Sequence, residues 1–285
     1  LGESARGVSG RSRGLMIRGN ARGLLERVCV RWLDVCGTEL SRRELLDSAM
    51  VFSPHPDDET LGCGATLAHK TALGAKVTLV VMTDGARSHA RFVGEETMRV
   101  TRAAEALRAA EQLGIAGESV VLLGFRDGTL LDHRSEAVEE VRSLLERHRP
   151  EQVFIPHRLE LPRDHAATRE VVLDALRGGG RAATVLEYPV WYWAHWPWVP
   201  CDGPRELARA VRGQIALFTE LRCRVPMGER RERKAAALRA YASQVDRPDG
   251  KPDWPTLGQV AGGDFLRCFF GAHELFHRYR FGSGA

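Results

Sequence analysis

The chain has no long apolar run. No stretch approaches the ~20 residues that a membrane-crossing helix needs, so a transmembrane segment is not expected. It has no close cysteine pairs either. Cys29, Cys36, Cys63, Cys201, Cys223 and Cys268 are scattered, with no CxxC among them. That spacing suggests neither a zinc ribbon nor a disulfide framework. The first 25 residues lack the apolar core of a secretory leader. A reduced, cytoplasmic protein is therefore expected. Aromatic residues are few, at 7%.

What is present suffices for one large α/β domain: 285 residues, 44% of them apolar. The formal charge is +4, and much of the excess lies near the start. There Arg6, Arg11, Arg13, Arg18, Arg22, Arg27 and Arg31 face Glu3 and Glu26. Residues 1–47 read as a basic N-terminal extension, partly helical or disordered, before a domain at 48–285. The alternative is contact with nucleic acid or an anionic membrane, because a basic arm needs no fold to find phosphate. Few aromatics interleave with the arginines, and no nucleic-acid partner is expected. The pattern does not decide between a monomer and a homo-oligomer.

After residue 48 the pattern alternates strand and helix. Apolar or β-branched runs predict strands at Ala49–Ser53, Lys76–Thr83, Ser119–Phe125, Gln152–Pro156 and Thr184–Tyr188. Helical spacing predicts helices at Thr60–Leu73, Glu95–Leu113, Glu136–Arg147, Ala166–Leu176 and Arg230–Tyr241. Repeated strand–helix units imply an α/β fold, a Rossmann-like three-layer αβα sandwich with a mostly parallel sheet. Ligands in such folds sit beyond the carboxyl ends of the strands. His55–Glu59, Thr83–His89, Arg126–Gly128 and His157–His165 all follow predicted strands and fall on that edge.

The densest chemistry is FSPHPDDETLGCG, residues 52–64. A buried carboxylate is costly unless it is paired or bound to a metal. If His55 and Asp58 hold one cation, Asp57 is left free beside it. A histidine with a carboxylate suits zinc, which keeps an open position for water. The spare carboxylate can then take a proton as general base. The structural alternative is that the acids cap the following helix, but capping needs one acid, not three. The third ligand should come from the same edge, and His165 in LPRDHAATR completes a His, Asp, His set. His273 and His277 have i, i+4 spacing and could share a metal on a helix, without a clear carboxylate partner. Cys63 sits in a Gly62–Gly64 frame that suits tight helix packing. Residues 188–200, YPVWYWAHWPWVP, read as a plug over the sheet end or as an aromatic wall against a sugar or lipid-like substrate.

PHPDDE followed 105 residues later by DHAAT resembles the PIG-L/LmbE-like zinc-dependent N-acetylglucosaminyl deacetylases. TDGARSH, RAAEALRAAEQLGI, LGFRDGTL, EYPVW and KAAALRAYASQ extend the likeness over roughly residues 49–280. The resemblance implies one Zn²⁺ on His55, Asp58 and His165, with Asp57 as general base. It places Arg102 and Asp127 where relatives bind the sugar or its attached group. Their structural alternatives are a surface Arg102–Glu105 pair and a turn Asp before Gly128. Thr83 and Asp84 line the site by position only. One departure stands out. Many members have a histidine where this chain has Pro162, and that histidine helps stabilise the tetrahedral intermediate. Proline donates no hydrogen bond, and losing one such donor typically costs about 10²–10³ in rate. His89, His157, Arg163 and His195 are candidates to substitute, and Glu160 stands where a tyrosine serves elsewhere.

The expected function is removal of an N-acetyl group from an N-acetylglucosamine-type sugar or glycoconjugate, with zinc and Asp57 activating water. Two rivals are a metal-dependent phosphoesterase and a non-catalytic carbohydrate-binding member of the same fold. The first would prefer more carboxylates around Mg²⁺, and no Gly-rich phosphate loop is seen.

Overall fold

A computed structural model describes residues 23–282, apart from 26, 34, 180, 181, 196 and 199–203. Eight strands form one sheet in the order β1-β7-β8-β6-β5-β2-β3-β4. They are β1 Thr38–Glu39, β2 Ala49–Ser53, β3 Val77–Thr83, β4 Val120–Phe125, β5 Gln152–Pro156, β6 Ala183–Tyr188, β7 Cys223–Pro226 and β8 His273–Phe281. All pairings are parallel except those of β8, which runs antiparallel to both β6 and β7.

The central strands are buried on both faces, which is why they read as unbroken apolar runs rather than alternating ones. Their side chains still divide with period two. Ala49, Val51, Leu79 and Val81 enter one core with Leu61, Leu67, Ala106 and Leu238. Met50, Phe52, Val80 and Met82 enter the other with Val141, Val171 and Leu176. Helices Asp58–Ala72, Glu95–Gln112 and Arg230–Ala240 thus cover one face, and Arg134–His148 and Arg163–Gly179 the other. The five predicted strands and five predicted helices all form, with ends shifted by three residues at most.

Of the expected extension, residues 1–22 lie outside the described residues. The later part is built into the fold. Thr38 and Glu39 pair with Cys223 and Arg224, and Cys29, Leu33 and Leu40 are buried in the first core. Helix Arg42–Leu46 starts at a Ser41–Glu44 capping box. The buried Lys70 ammonium donates to the carbonyls of Glu44 and Asp47, at 3.0 and 2.8 Å.

Two close fits fix the helix that follows β2. A Cβ at Gly62 would run into the Tyr188 ring, whose hydroxyl donates to the Phe52 carbonyl at 2.7 Å. Farther along, Lys234 Nζ donates to the Leu61 carbonyl and to Glu274 Oε1, both at 2.7 Å. Glu274 also accepts from the Ala65 and Thr66 backbone N–H groups. Lys234 and Glu274 are both buried, so each charge depends on the other. Glu274→Ala should cost about 3–5 kcal/mol, read as a lower denaturant midpoint at unchanged slope.

Candidate metal centre and active-site cleft

β2 ends at Ser53, and the next helix begins at Asp58. The turn between them presents His55 and Asp57. The His55 backbone N–H donates to Asp58 Oδ2 at 3.0 Å, and His55 Nδ1 lies 3.2 Å from the same oxygen. From the loop and helix after β5, His165 Nε2 comes within 3.1 Å of Asp58 Oδ2. One ligand atom from each of His55, Asp58 and His165 lies within 4.8 Å of the others. β2 and β5 are neighbours at the point where the strand order reverses, the position where open α/β sheets bind ligands.

The set fits a divalent cation on two observations. His165 Nε2 is buried without a directed hydrogen-bond partner, while Nδ1 is held by Glu160 Oε2 at 2.9 Å. That outer bond fixes the ring so that Nε2 faces the cluster. Second, buried negative charge gathers here: Asp57, Asp58, Glu59 and Glu160 are all buried, and the buried Arg102 faces Asp57 at 3.3 Å. Burial opposes the His165 imidazolium, but Asp58 and Glu160 outweigh it and lift its pKa to about 9. Burial likewise opposes the Asp58 anion, yet His165 and His55 hold it well below the usual carboxylate range. The pocket thus demands positive charge, from protons or from a metal.

Asp57 is set apart from its neighbours. Its φ of 122° lies in a region that non-glycine residues avoid, at a cost of roughly 1–3 kcal/mol. Its side chain makes no capping bond to the helix it precedes, contrary to the capping alternative. The carboxylate instead lies 3.3 Å from Arg102 Nη2. Burial pushes its pKa up to about 7, against the pull of Arg102, with Asp58 and Glu59 adding to the rise.

Arg102 does not form the surface pair with Glu105. It is buried and donates to the Pro56 carbonyl, its Nε lacks a partner, and Glu105 accepts from Ser243 instead. Asp127 accepts from the Arg87 N–H at 3.0 Å and lies 3.4 Å from His55 Nε2. Asp164 lies at the same distance from that nitrogen and anchors the Gly128 N–H at 2.6 Å. His55 therefore stands between Asp58 on one side and Asp127 and Asp164 on the other. Thr83 and Asp84 are brace residues: Thr83 Oγ1 donates to the Pro54 carbonyl, and Asp84 accepts from the Ala86 and Asp127 N–H groups.

These groups line a cleft of about 240 Å³, with Asp57, Ser88, Arg102, Asp127 and Gln244 on its polar side and Leu61, Pro162, Trp191 and Leu257 on its apolar side. None of the four substitutes considered for the missing histidine lines it. His89 stacks on Trp254 and bonds the Pro255 carbonyl. His157 faces Glu220, and His195 packs against Tyr192. Most of the described aromatic segment is a plug, with Tyr192, Trp193 and Trp198 buried; Trp191 alone of these reaches the cleft.

His273 and His277 lie on a strand, not a helix. Four residues along a strand span about 13 Å, too far to share an ion. His277 instead approaches Glu187 and His157. There His157 Nδ1 accepts from the Leu159 N–H, leaving Nε2 to donate to Glu220, as a hydrogen-bond network would have it. Ser88 and Gln244 escaped the sequence reading as site residues, and Glu160 was noted only as standing where a tyrosine serves elsewhere. Glu160 held the one available signal, an acid two residues from Pro162.

Residues 50–176 match the family described as PIG-L: GlcNAc-PI de-N-acetylase. This segment is a PIG-L family domain. A diacetylchitobiose deacetylase from Thermococcus kodakarensis is 31% identical over 109 residues, 38% of this chain and 39% of that protein. A probable N-acetyl-alpha-D-glucosaminyl L-malate deacetylase 2 from Bacillus anthracis is 31% identical over 134 residues, 45% of this chain and 58% of that protein. The chain thus spans about two fifths and three fifths of these relatives. In fold it is similar to the N,N'-diacetylchitobiose deacetylase of Pyrococcus horikoshii, with TM-score 0.60, 19% identity, and coverage of 82% of this chain and 84% of that one.

Glu160 carries the ring of His165 and also accepts the Val190, Trp191 and Tyr192 N–H groups. Glu160→Gln should weaken zinc or cobalt binding about 10–100-fold, measured by chelator competition, with the fold retained by circular dichroism.

Proposed function

We propose that the chain is a zinc-dependent hydrolase that removes an N-acetyl group from an N-acetylglucosamine-type sugar or glycoconjugate. One observation carries the reading. Asp57, strained and not used for capping, stands beside a His55–Asp58–His165 cluster in the cleft of a PIG-L domain. The names of the two relatives point to amino-sugar amides as the substrate class.

His55, Asp58 and His165 would hold one ion per chain. Their donor types suit zinc with an open position, which would supply Lewis acidity to the amide carbonyl and acidify water. The remaining work belongs to the chain. His55 would offer Nδ1 to the ion, and its Nε2–H, 3.4 Å from both Asp127 and Asp164, would hold the ring in place. Asp57 accepts a proton from the attacking water as the new C–O bond forms. It returns that proton to the nitrogen as the C–N bond breaks, leaving acetate and a free amine. Arg102 keeps Asp57 aimed into the cleft and, with Asp127, orients the sugar. Pro162 offers no donor, so Arg102, Ser88 and Gln244 are the side-chain donors on the polar wall. Residues 48–285 are the catalytic domain in this reading. Cys36, Cys63 and Cys223 are free thiols, and the reading takes a reducing, cytoplasmic setting.

The test is acetate release from N-acetylglucosaminyl compounds in free, thiol-linked, lipid-linked and aglycone-linked forms, with metal content measured. Asp57→Asn should lose about 10²–10⁴ in rate while keeping its zinc. A zinc-loaded wild type that releases no acetate from any compound would point to a binding protein. Phosphate release with magnesium alone would point to the phosphoesterase.

A further inference from the structure

Helical residues between 23 and 36 pack on helix Pro204–Thr219 through Cys29–Gln214 and Trp32–Phe218 contacts. Cys29 and Leu33 face the core. Leu24, Val28, Trp32 and Val35 form a second apolar stripe, at i, i+4, i+8 and i+11, and it points outward: Val28 is 50% exposed and Val35 75%. On the other helix, Val211 and Ile215 lie two turns and one turn before Phe218 and are 53% and 57% exposed. Because Trp32 touches Phe218, the two stripes meet and make one surface. Isolated exposed apolar residues are ordinary, but a joined set on two helices marks an interaction surface.

Charge decides what covers it. Five arginines and one acid fall in residues 1–22, so that segment holds the whole +4 excess and the rest of the chain sums to zero. The segment leads directly into the stripe. Arg27, Arg31, Arg209 and Arg212 are exposed on the same two helices. Residues 1–36 carry seven arginines against Glu3, Glu26 and Asp34, and residues 204–219 three against Glu206, so both stretches are net positive: a second copy would repeat the same excess, whereas an anionic bilayer attracts it and accepts the apolar side chains. We infer that this face docks on anionic lipid membranes, with Leu24, Val28, Val35, Val211 and Ile215 entering the headgroup boundary and the arginines engaging lipid phosphates. Membrane contact is the alternative that the sequence offers for its basic arm; the exposed stripe that follows that arm in the chain is the observation that favours it.

Co-sedimentation of the full chain with phosphatidylcholine vesicles, with and without phosphatidylglycerol, tests this. Binding should require phosphatidylglycerol and fall as salt rises. The double change Val28→Ser and Ile215→Ser should weaken it about tenfold. Replacing Arg6, Arg11, Arg13 and Arg18 with glutamine should weaken it as well. Both variants alter exposed or N-terminal positions, and unchanged thermal melts would confirm their folding. Absence of vesicle binding overturns the inference. So does binding that both variants retain. Concentration-dependent self-association without vesicle binding, lost in the Val28/Ile215 variant, would make this face a contact between copies instead.

Discussion

Carboxylates buried at the end of a parallel strand must be balanced, and much of the structure around β2 answers that requirement. The helix beginning at Asp58 turns its positive end towards them. Glu59 is settled by neutral donors, with Ser53, Thr60 and Tyr241 hydroxyls at 2.6–3.0 Å. Arg102 reaches in from a different helix to face Asp57. What remains is Asp58, between two histidines, and there the balance is met by a proton or a cation. The same geometry explains Gly62. The helix must lie close enough to Tyr188 for its hydroxyl to reach Phe52, which ties β6 to β2 across β5.

The support of His165 depends on a second buried acid. Glu160 accepts three consecutive backbone N–H groups at 190–192 and still has an oxygen for the imidazole. It therefore couples the aromatic segment to the metal candidate. The plug over the sheet end and the ring of His165 are parts of one hydrogen-bonded unit, and disturbing either moves the other.

How much of this could be read in the sequence follows from the range of the forces involved. β2 and β5 were legible to the residue because fully buried parallel strands leave continuous apolar runs, and the proximity of the candidate pair His55 and Asp58 was legible because it is local. β8 was not. HELFHRYRF mixes charged, aromatic and apolar residues because the strand crosses both cores and carries Glu274 to Lys234, so no single period shows. β1 and β7 are short edge segments, and their pairing joins residues far apart in the chain. Gln244 acquires its place only from tertiary contacts, and nothing in its neighbours announces it; the position of Glu160 beside Pro162 was visible, but its bond to His165 was not.

Pro162 is the point where fold and chemistry pull apart. A lost donor worth about 10²–10³ in rate must be offset for turnover to persist, and the cleft shows one group of comparable strength. Arg102 is a full charge in a buried setting, where its field is screened far less than at a surface, and its Nε has no other partner. Pro162 itself joins Leu61, Trp191 and Leu257 as an apolar wall facing the polar one. A cleft divided in this way favours a substrate with polar hydroxyls on one side and an apolar face on the other. An amino sugar carrying a hydrophobic substituent has that character; a small free sugar would leave the apolar wall wet. Under the proposed function, the proline that removes a donor would also turn the cleft towards larger, less polar conjugates.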